Sequence, residues 1–297
     1  MGKPLHLLQD REKILLENAR PLIYSRLDSG EVLRIHSYIP KDIKEGEKRP
    51  VFLFFNGGAW DRGSVSQFAP HALNLVERGA VCGLVQYRDK REFPDSTPLD
   101  AFADCRLAIQ FVRHHAERMR IDPDKVIAVG AAAGANMAAS AALSKSRKKV
   151  KPGDDEITAL SCKPNGLILF SPIIDVYKDR YGYDQFGPDI STKLACLSKR
   201  IERKLPPTLI LHGTEDRLIP FEDVFEFVQK LEKIKAPCKL VEFEGRDHSF
   251  FNMNFDPISY EACLIEIDAF LEEYKFLEMP RDDPQDPRLI SWREYDY

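Results

Sequence analysis

The sequence predicts an α/β fold in which a mostly parallel central sheet carries helices on both faces. Three observations point to it. Short, continuous apolar runs such as Val51-Phe52-Leu53-Phe54-Phe55 and Leu167-Ile168-Leu169-Phe170 suit strands buried on both faces. These runs alternate along the chain with stretches of helical periodicity, as in a doubly wound sheet. The length of 297 residues suits one such unit, so residues 1–297 read as a single domain with a small insertion.

The elements follow in order. Residues 5–20 place Leu7, Leu8, Leu15 and Leu16 at helical intervals among charges and read as an amphipathic helix. Residues 22–27 and 31–39 form a hairpin around the turn Asp28-Ser29-Gly30. The first buried strand spans 51–55. A helix over 67–78 precedes a strand over 80–87, and a long helix over 99–118 precedes a strand over 126–129. A helix over 133–144 runs into the basic stretch Lys145 to Lys151, a solvated surface loop. After the strand at 167–170, residues 173–205 are tyrosine-rich, glycine-punctuated and poorly periodic. They read as a small lid on the C-terminal edge of the sheet. Strands at 208–211 and 239–243, separated by a helix over 221–233, and a last helix over 257–274 complete the fold. The tail 276–297, with three prolines and many charges, is expected over the surface.

Composition narrows the function classes. A hydrophobic content of 43% with 30% charged residues is ordinary for a globular chain, and the net charge of -4 gives no electrostatic reason to expect nucleic acid. The six cysteines (Cys82, Cys105, Cys162, Cys196, Cys238, Cys263) are scattered, without the paired spacing of a zinc site. Met1-Gly2-Lys3-Pro4 leads into a charged stretch with no apolar h-region. The expectation is a cytoplasmic protein as the sequence stands, or a secreted or periplasmic one if a leader was removed. No run approaches the eighteen or so apolar residues of a membrane span, so no membrane partner is expected.

Four segments carry chemistry. Gly130-Ala131-Ala132-Ala133-Gly134 falls between a strand and a helix, the setting of the G-x-S-x-G nucleophile elbow, with Ala132 at the nucleophile position. Asp216 follows the strand at 208–211, and His248 follows the strand at 239–243. Asn56-Gly57-Gly58-Ala59-Trp60 follows the strand at 51–55, where an HGGG-type loop presents backbone N–H groups to an oxyanion; Gly57, Gly58 and Ala133 are the expected donors. Singly, each has a plainer explanation: a βα turn, a solvated aspartate, a structural histidine, a tight turn. Together, at the right strand ends and in the chain order nucleophile, acid, base, they select the catalytic reading.

At this point the sequence resembles a known family. Asn56-Gly57-Gly58-Ala59-Trp60, Gln86-Tyr87-Arg88, Ile121-Asp122-Pro123-Asp124-Lys125-Val126, Leu205-Pro206-Pro207-Thr208 and Phe243-Glu244-Gly245-Arg246-Asp247-His248-Ser249-Phe250-Phe251-Asn252 are similar to the bacterial esterase/lipase branch of the α/β-hydrolase superfamily, which includes acetyl esterases and feruloyl-esterase-like enzymes. The similarity runs from about residue 30 to 275. It implies an α/β-hydrolase fold, Asp216 orienting His248, and His248 acting as general base and then general acid. It implies a small-molecule or saccharide ester of a short acyl or aryl acid as substrate. Base and backbone oxyanion hole come from the chain itself, so no metal or organic cofactor is expected. Trp60 and Tyr181, with Tyr177, Tyr183 and Phe186, are placed to stack on a sugar or aromatic acyl group, or equally to pack a core.

The departure from the family is Ala132, whose methyl group cannot attack a carbonyl. Either a serine has been replaced, or the chain is a pseudo-enzyme that binds a ligand without hydrolysis. The joint presence of Asp216, His248 and the glycine loop favours replacement. A serine peptidase of the same fold is a third reading, disfavoured because no second domain gates the site.

Overall fold

The computed structural model describes residues 12–144, 156–201 and 205–278. Its frame is one eight-stranded sheet: β1 (Arg20–Arg26), β2 (Val32–Tyr38), β3 (Arg49–Phe55), β4 (Val81–Val85), β5 (Ile121–Ala131), β6 (Gly166–Phe170), β7 (Thr208–Gly213) and β8 (Cys238–Phe243). The spatial order is β1-β2-β4-β3-β5-β6-β7-β8. The hairpin β1–β2 pairs antiparallel, β2 pairs antiparallel with β4, and every later pair is parallel. This is the mostly parallel sheet that the buried runs predict, in keeping with the α/β-hydrolase fold that the resemblance implies, with β1 and β8 at its edges.

Among the described residues, five longer helices cover it: α1 (Ala69–Glu77), α2 (Pro98–His114), α3 (Ala133–Ala142), α4 (Phe221–Lys233) and α5 (Pro257–Glu273). Strand side chains alternate between faces, and the core divides accordingly. Val51, Leu53 and Phe55 face one core with Phe102 of α2, Met137 of α3 and Phe227 of α4. Phe52 and Phe54 face the other, with Leu75 of α1 and Ile267 of α5. Because both faces are covered, β3 is buried almost throughout.

Local chemistry sets the helix starts. Thr97 and Asp100 form a reciprocal capping box ahead of α2, with Pro98 at its first position. Asp256 accepts from the Ser259 amide (3.0 Å) ahead of α5. Two boundaries differ from expectation. Strand β5 begins at Ile121, not Val126, because Ile121 pairs with Arg49 across a register shift that admits the polar residues between. The helix expected over 99–118 ends at His114, and a separate turn, Ala116–Met119, closes on Arg120 at φ 54°.

The segment read as a lid contains 3-10 turns at Tyr183–Gln185 and Thr192–Leu194. It is anchored: Ile173, Val176, Phe186, Ala195 and Leu197 are buried in the α2–α3–α4 core. Phe276 and Leu277, at the start of the tail, tuck into the opposite core, so the tail begins buried. Residues 279–297, the basic run from Lys145 and the leucines Leu7 and Leu8 lie outside the described residues. Among those described, no helix is long and apolar enough to cross a membrane.

Candidate active site

The turn between β5 and α3 brings residue 132 to the C-terminal edge of the sheet. Ala132 adopts φ 47° and ψ -109°, a conformation that costs a non-glycine residue roughly 1–3 kcal/mol. It is held on both sides: its N–H donates to Phe170 O (3.0 Å), and its carbonyl accepts from the N–H groups of Asn136 (3.0 Å) and Ile173 (3.3 Å). Gly134 permits the turn by contact. A Cβ there would stand 2.0 Å from Phe55 O, so only glycine lets the first turn of α3 rest on the end of β3.

Asp216 and His248 come from the loops after β7 and β8. Asp216 Oδ1 accepts from the Leu218 and Ile219 amides (both 2.9 Å), and Oδ2 accepts from His248 Nδ1 (2.7 Å). Burial alone would raise the Asp216 pKa. The hydrogen bond and charge of His248 with the two amides outweigh it, so the carboxyl titrates below its ordinary value. A carboxylate only accepts, so Nδ1 carries a proton, and in the neutral ring the lone pair is then on Nε2. Ser171, the residue after Phe170, donates from Oγ to the His248 carbonyl (3.2 Å). The same strand end therefore holds both Ala132 and the histidine loop.

Sequence reasoning missed His212. It is fully buried beneath the acid, with Nε2 donating to Ile219 O (3.0 Å) and lying 3.7 Å from Asp216 Oδ2. Burial lowers its pKa and favours the neutral ring. Its signal was present in the run His212-Gly213-Thr214-Glu215-Asp216, where only the acid stood at a position the chemistry names.

The glycine loop lies against the elbow: a Cβ on Gly57 would stand 3.7 Å from Ala132 Cβ. Of the expected donors, Gly57 is differently engaged, because its N–H donates to Gln67 Oε1 (2.8 Å). The following amides, of Gly58 and Ala59, have no acceptor among the described residues. Both residues have positive φ, 121° and 52°. Ala133 opens α3, so its N–H has no acceptor within the helix. Asn56, where related loops carry histidine, donates to Gly57 O (2.9 Å) and accepts at its carbonyl from Tyr87 OH (2.9 Å).

The two expected substrate contacts diverge. The Tyr181 ring is half-buried and meets His248 edge-on, with centroids 6.1 Å apart. Burial first, then the Asp216 charge, raises its pKa. Trp60 is 1% exposed. Its indole packs on Phe102 and Phe186 and lies under Gly182, which makes it part of the core and not a surface for substrate. A cavity of about 470 Å³ opens between the loops after β7 and β8, lined by Arg217, Leu218, Arg246, His248 and Phe255. Among the described residues, no group of three or more His, Cys, Asp or Glu is arranged to hold a metal ion.

Comparison with known proteins agrees with this architecture. The BD-FAE family model matches residues 35–231, and the prolyl oligopeptidase family model matches residues 190–274. A probable isoprenylcysteine alpha-carbonyl methylesterase of Arabidopsis thaliana is 29% identical over 236 residues, covering 73% of this chain and 48% of its own length. The chain thus spans about half the length of such curated relatives. Esterase 2 of Thermogutta terrifontis, solved phosphoramylated by tabun, is 32% identical with a TM-score of 0.79, covering 90% of this chain and 98% of that one. Its butyrate-bound form superposes equally well, with 32% identity, a TM-score of 0.79 and coverage of 90% and 97%. The chain belongs to the BD-FAE family, and its fold is the α/β-hydrolase fold of these esterases.

Proposed function

We propose that this chain is a carboxylic-ester hydrolase site built on Ala132, Asp216 and His248, held without its nucleophilic hydroxyl. The observation that carries the reading is the 2.7 Å contact between His248 Nδ1 and Asp216, on the strand edge that carries the elbow at Ala132. With a serine at 132, His248 Nε2 removes the hydroxyl proton as Oγ attacks the ester carbonyl. The amides of Gly58, Ala59 and Ala133 receive the developing oxyanion. Collapse expels the alcohol with the proton from His248, and water, activated by the same ring, releases the acid. With alanine the first bond cannot form, while the surrounding groups remain able to hold an ester.

Short acyl esters are the proposed substrates, in keeping with the butyrate-bound relative; a carbohydrate-linked alcohol is the further part of the proposal. The test is Ala132→Ser. It is expected to release 4-nitrophenol from short acyl esters and to gain the mass of a phosphoryl adduct with an organophosphate, where the alanine chain does neither. A folded serine variant that stays silent in both assays overturns the hydrolase reading in favour of a ligand-binding protein. The match of residues 190–274 to the prolyl oligopeptidase family favours a second reading, amide cleavage, and a variant faster on peptide anilides than on esters would establish it.

A further inference from the structure

Strands β3 and β8, whose ends carry the glycine loop and the histidine loop, are not neighbours: β5, β6 and β7 lie between them. The hydrogen-bond ladder of the sheet therefore does not directly fix the spacing between an oxyanion donor on one loop and the base on the other. A chain of side-chain amides crosses that gap. The Gly57 N–H donates to Gln67 Oε1 (2.8 Å), Gln67 Nε2 donates to Asn252 Oδ1 (3.3 Å), and Asn252 Nδ2 donates to the carbonyl of Ser249 (3.1 Å), the residue after His248. The two ends fix the direction, since a backbone N–H only donates and a backbone carbonyl only accepts; neither amide can flip without losing a bond. Beneath it, the residues next in sequence, Phe68 and Phe251, are fully buried and stack with centroids 5.7 Å apart and planes 18° apart.

We propose that Gln67 and Asn252 are positioning residues that clamp the glycine loop to the histidine loop, fixing the distance between the oxyanion amides and His248 Nε2. The inference rests on the hydrolase reading for its purpose, but not for its geometry. The clamp also accounts for the engagement of Gly57: that amide anchors the loop, so that the next two amides are aimed.

The experiment has two arms. In the chain as it stands, nitrogen-labelled protein reports the amides of Gly57, Gly58 and Ala59 and the Nδ1 proton of His248. Asn252→Ala is expected to shift the glycine-loop amides, and Gln67→Ala to shift the His248 signal. The double variant should change no more than either single one. Gln67→Glu keeps the acceptor for Gly57 but loses the donor to Asn252, so it should move the His248 signal as Gln67→Ala does. Responses confined to each residue's own loop, additive singles, or a Gln67→Glu form indistinguishable from the parent overturn the clamp.

In the Ala132→Ser background, Gln67→Ala and Asn252→Ala should lower kcat by about 10- to 100-fold, the scale of a small misplacement of reacting groups, with KM within about twofold and the melting temperature little changed. An active serine variant whose kcat is indifferent to both substitutions overturns the clamp alone. A serine variant without activity, in a chain that shows the spectroscopic coupling, overturns the hydrolase reading and leaves the clamp standing.

Discussion

At position 132 the backbone keeps a strained turn, and on the proposed reading the side chain lacks the atom that such a turn presents. Asp216 accepts three hydrogen bonds, one of them from Nδ1 of His248. In the Ala132→Ser background, Asp216→Asn should lower kcat by about 10⁴-fold, because an amide that donates to Nδ1 selects the tautomer without a free Nε2 lone pair. Asp247→Asn should leave it within a few-fold; the reverse ranking would transfer the acid role to Asp247. A buried histidine outside the site weighs on behaviour in acid. His71 sits among Phe68, Phe170 and Tyr260 with neither ring nitrogen bonded among the described residues, and burial lowers its pKa from 6.5 to about 3. Between those values the unfolded chain binds the proton and the folded chain does not. Stability should therefore fall by about 1.4 kcal/mol per pH unit at this one site as pH drops below 6.5, with nothing lost above it. Asp216 adds a loss of the same sign only below its ordinary 3.8. Urea midpoints at pH 7 and pH 4.5 check this: His71→Leu should shrink the difference, and an unchanged difference would acquit His71.

Among elements, what the sequence reveals depends on whether its signal is local. Periodicity and apolar runs located all eight strands, and the helix over 221–233 coincides with α4, since an amphipathic face repeats within the helix itself. The start of β5 was illegible because Ile121 pairs with Arg49, on a strand adjacent in the sheet but remote in sequence. Positions 132, 216 and 248 could be picked out as the ends of strands in a known order. Burial of Trp60 and engagement of Gly57 depend on the tertiary neighbours Phe186 and Gln67, which no spacing announces. Tyr181 was legible only as one tyrosine of several. The capping box at Thr97 is a local signal with a measurable consequence. Thr97→Ala should cost about 1 kcal/mol, read as a lower urea midpoint with unchanged slope; Thr97→Ser should recover most of it.

On the scale of the whole molecule, the sheet ends, among the described residues, in two strands paired on one side only, and each is a potential seam for joining copies. Strand β1 meets that hazard with Arg20, Pro21 and Arg26, and β8 with Lys239 and Glu242 among half-exposed apolar residues. Lys239 is also paired with Glu266 of α5 (2.6 Å), which holds a charge over the rim. Charged and proline-bearing rims disfavour the strand-to-strand addition that begins fibrils. Lys239→Val would turn Cys238-Lys239-Leu240-Val241 into an uninterrupted apolar run on an open edge. That variant should scatter light after hours at a concentration where the parent stays clear, at nearly the same melting temperature, and equal clarity would show that the rim is guarded elsewhere. On this view the tendency of copies to join is set by where the sheet stops, and Lys239 is the side chain through which the test acts.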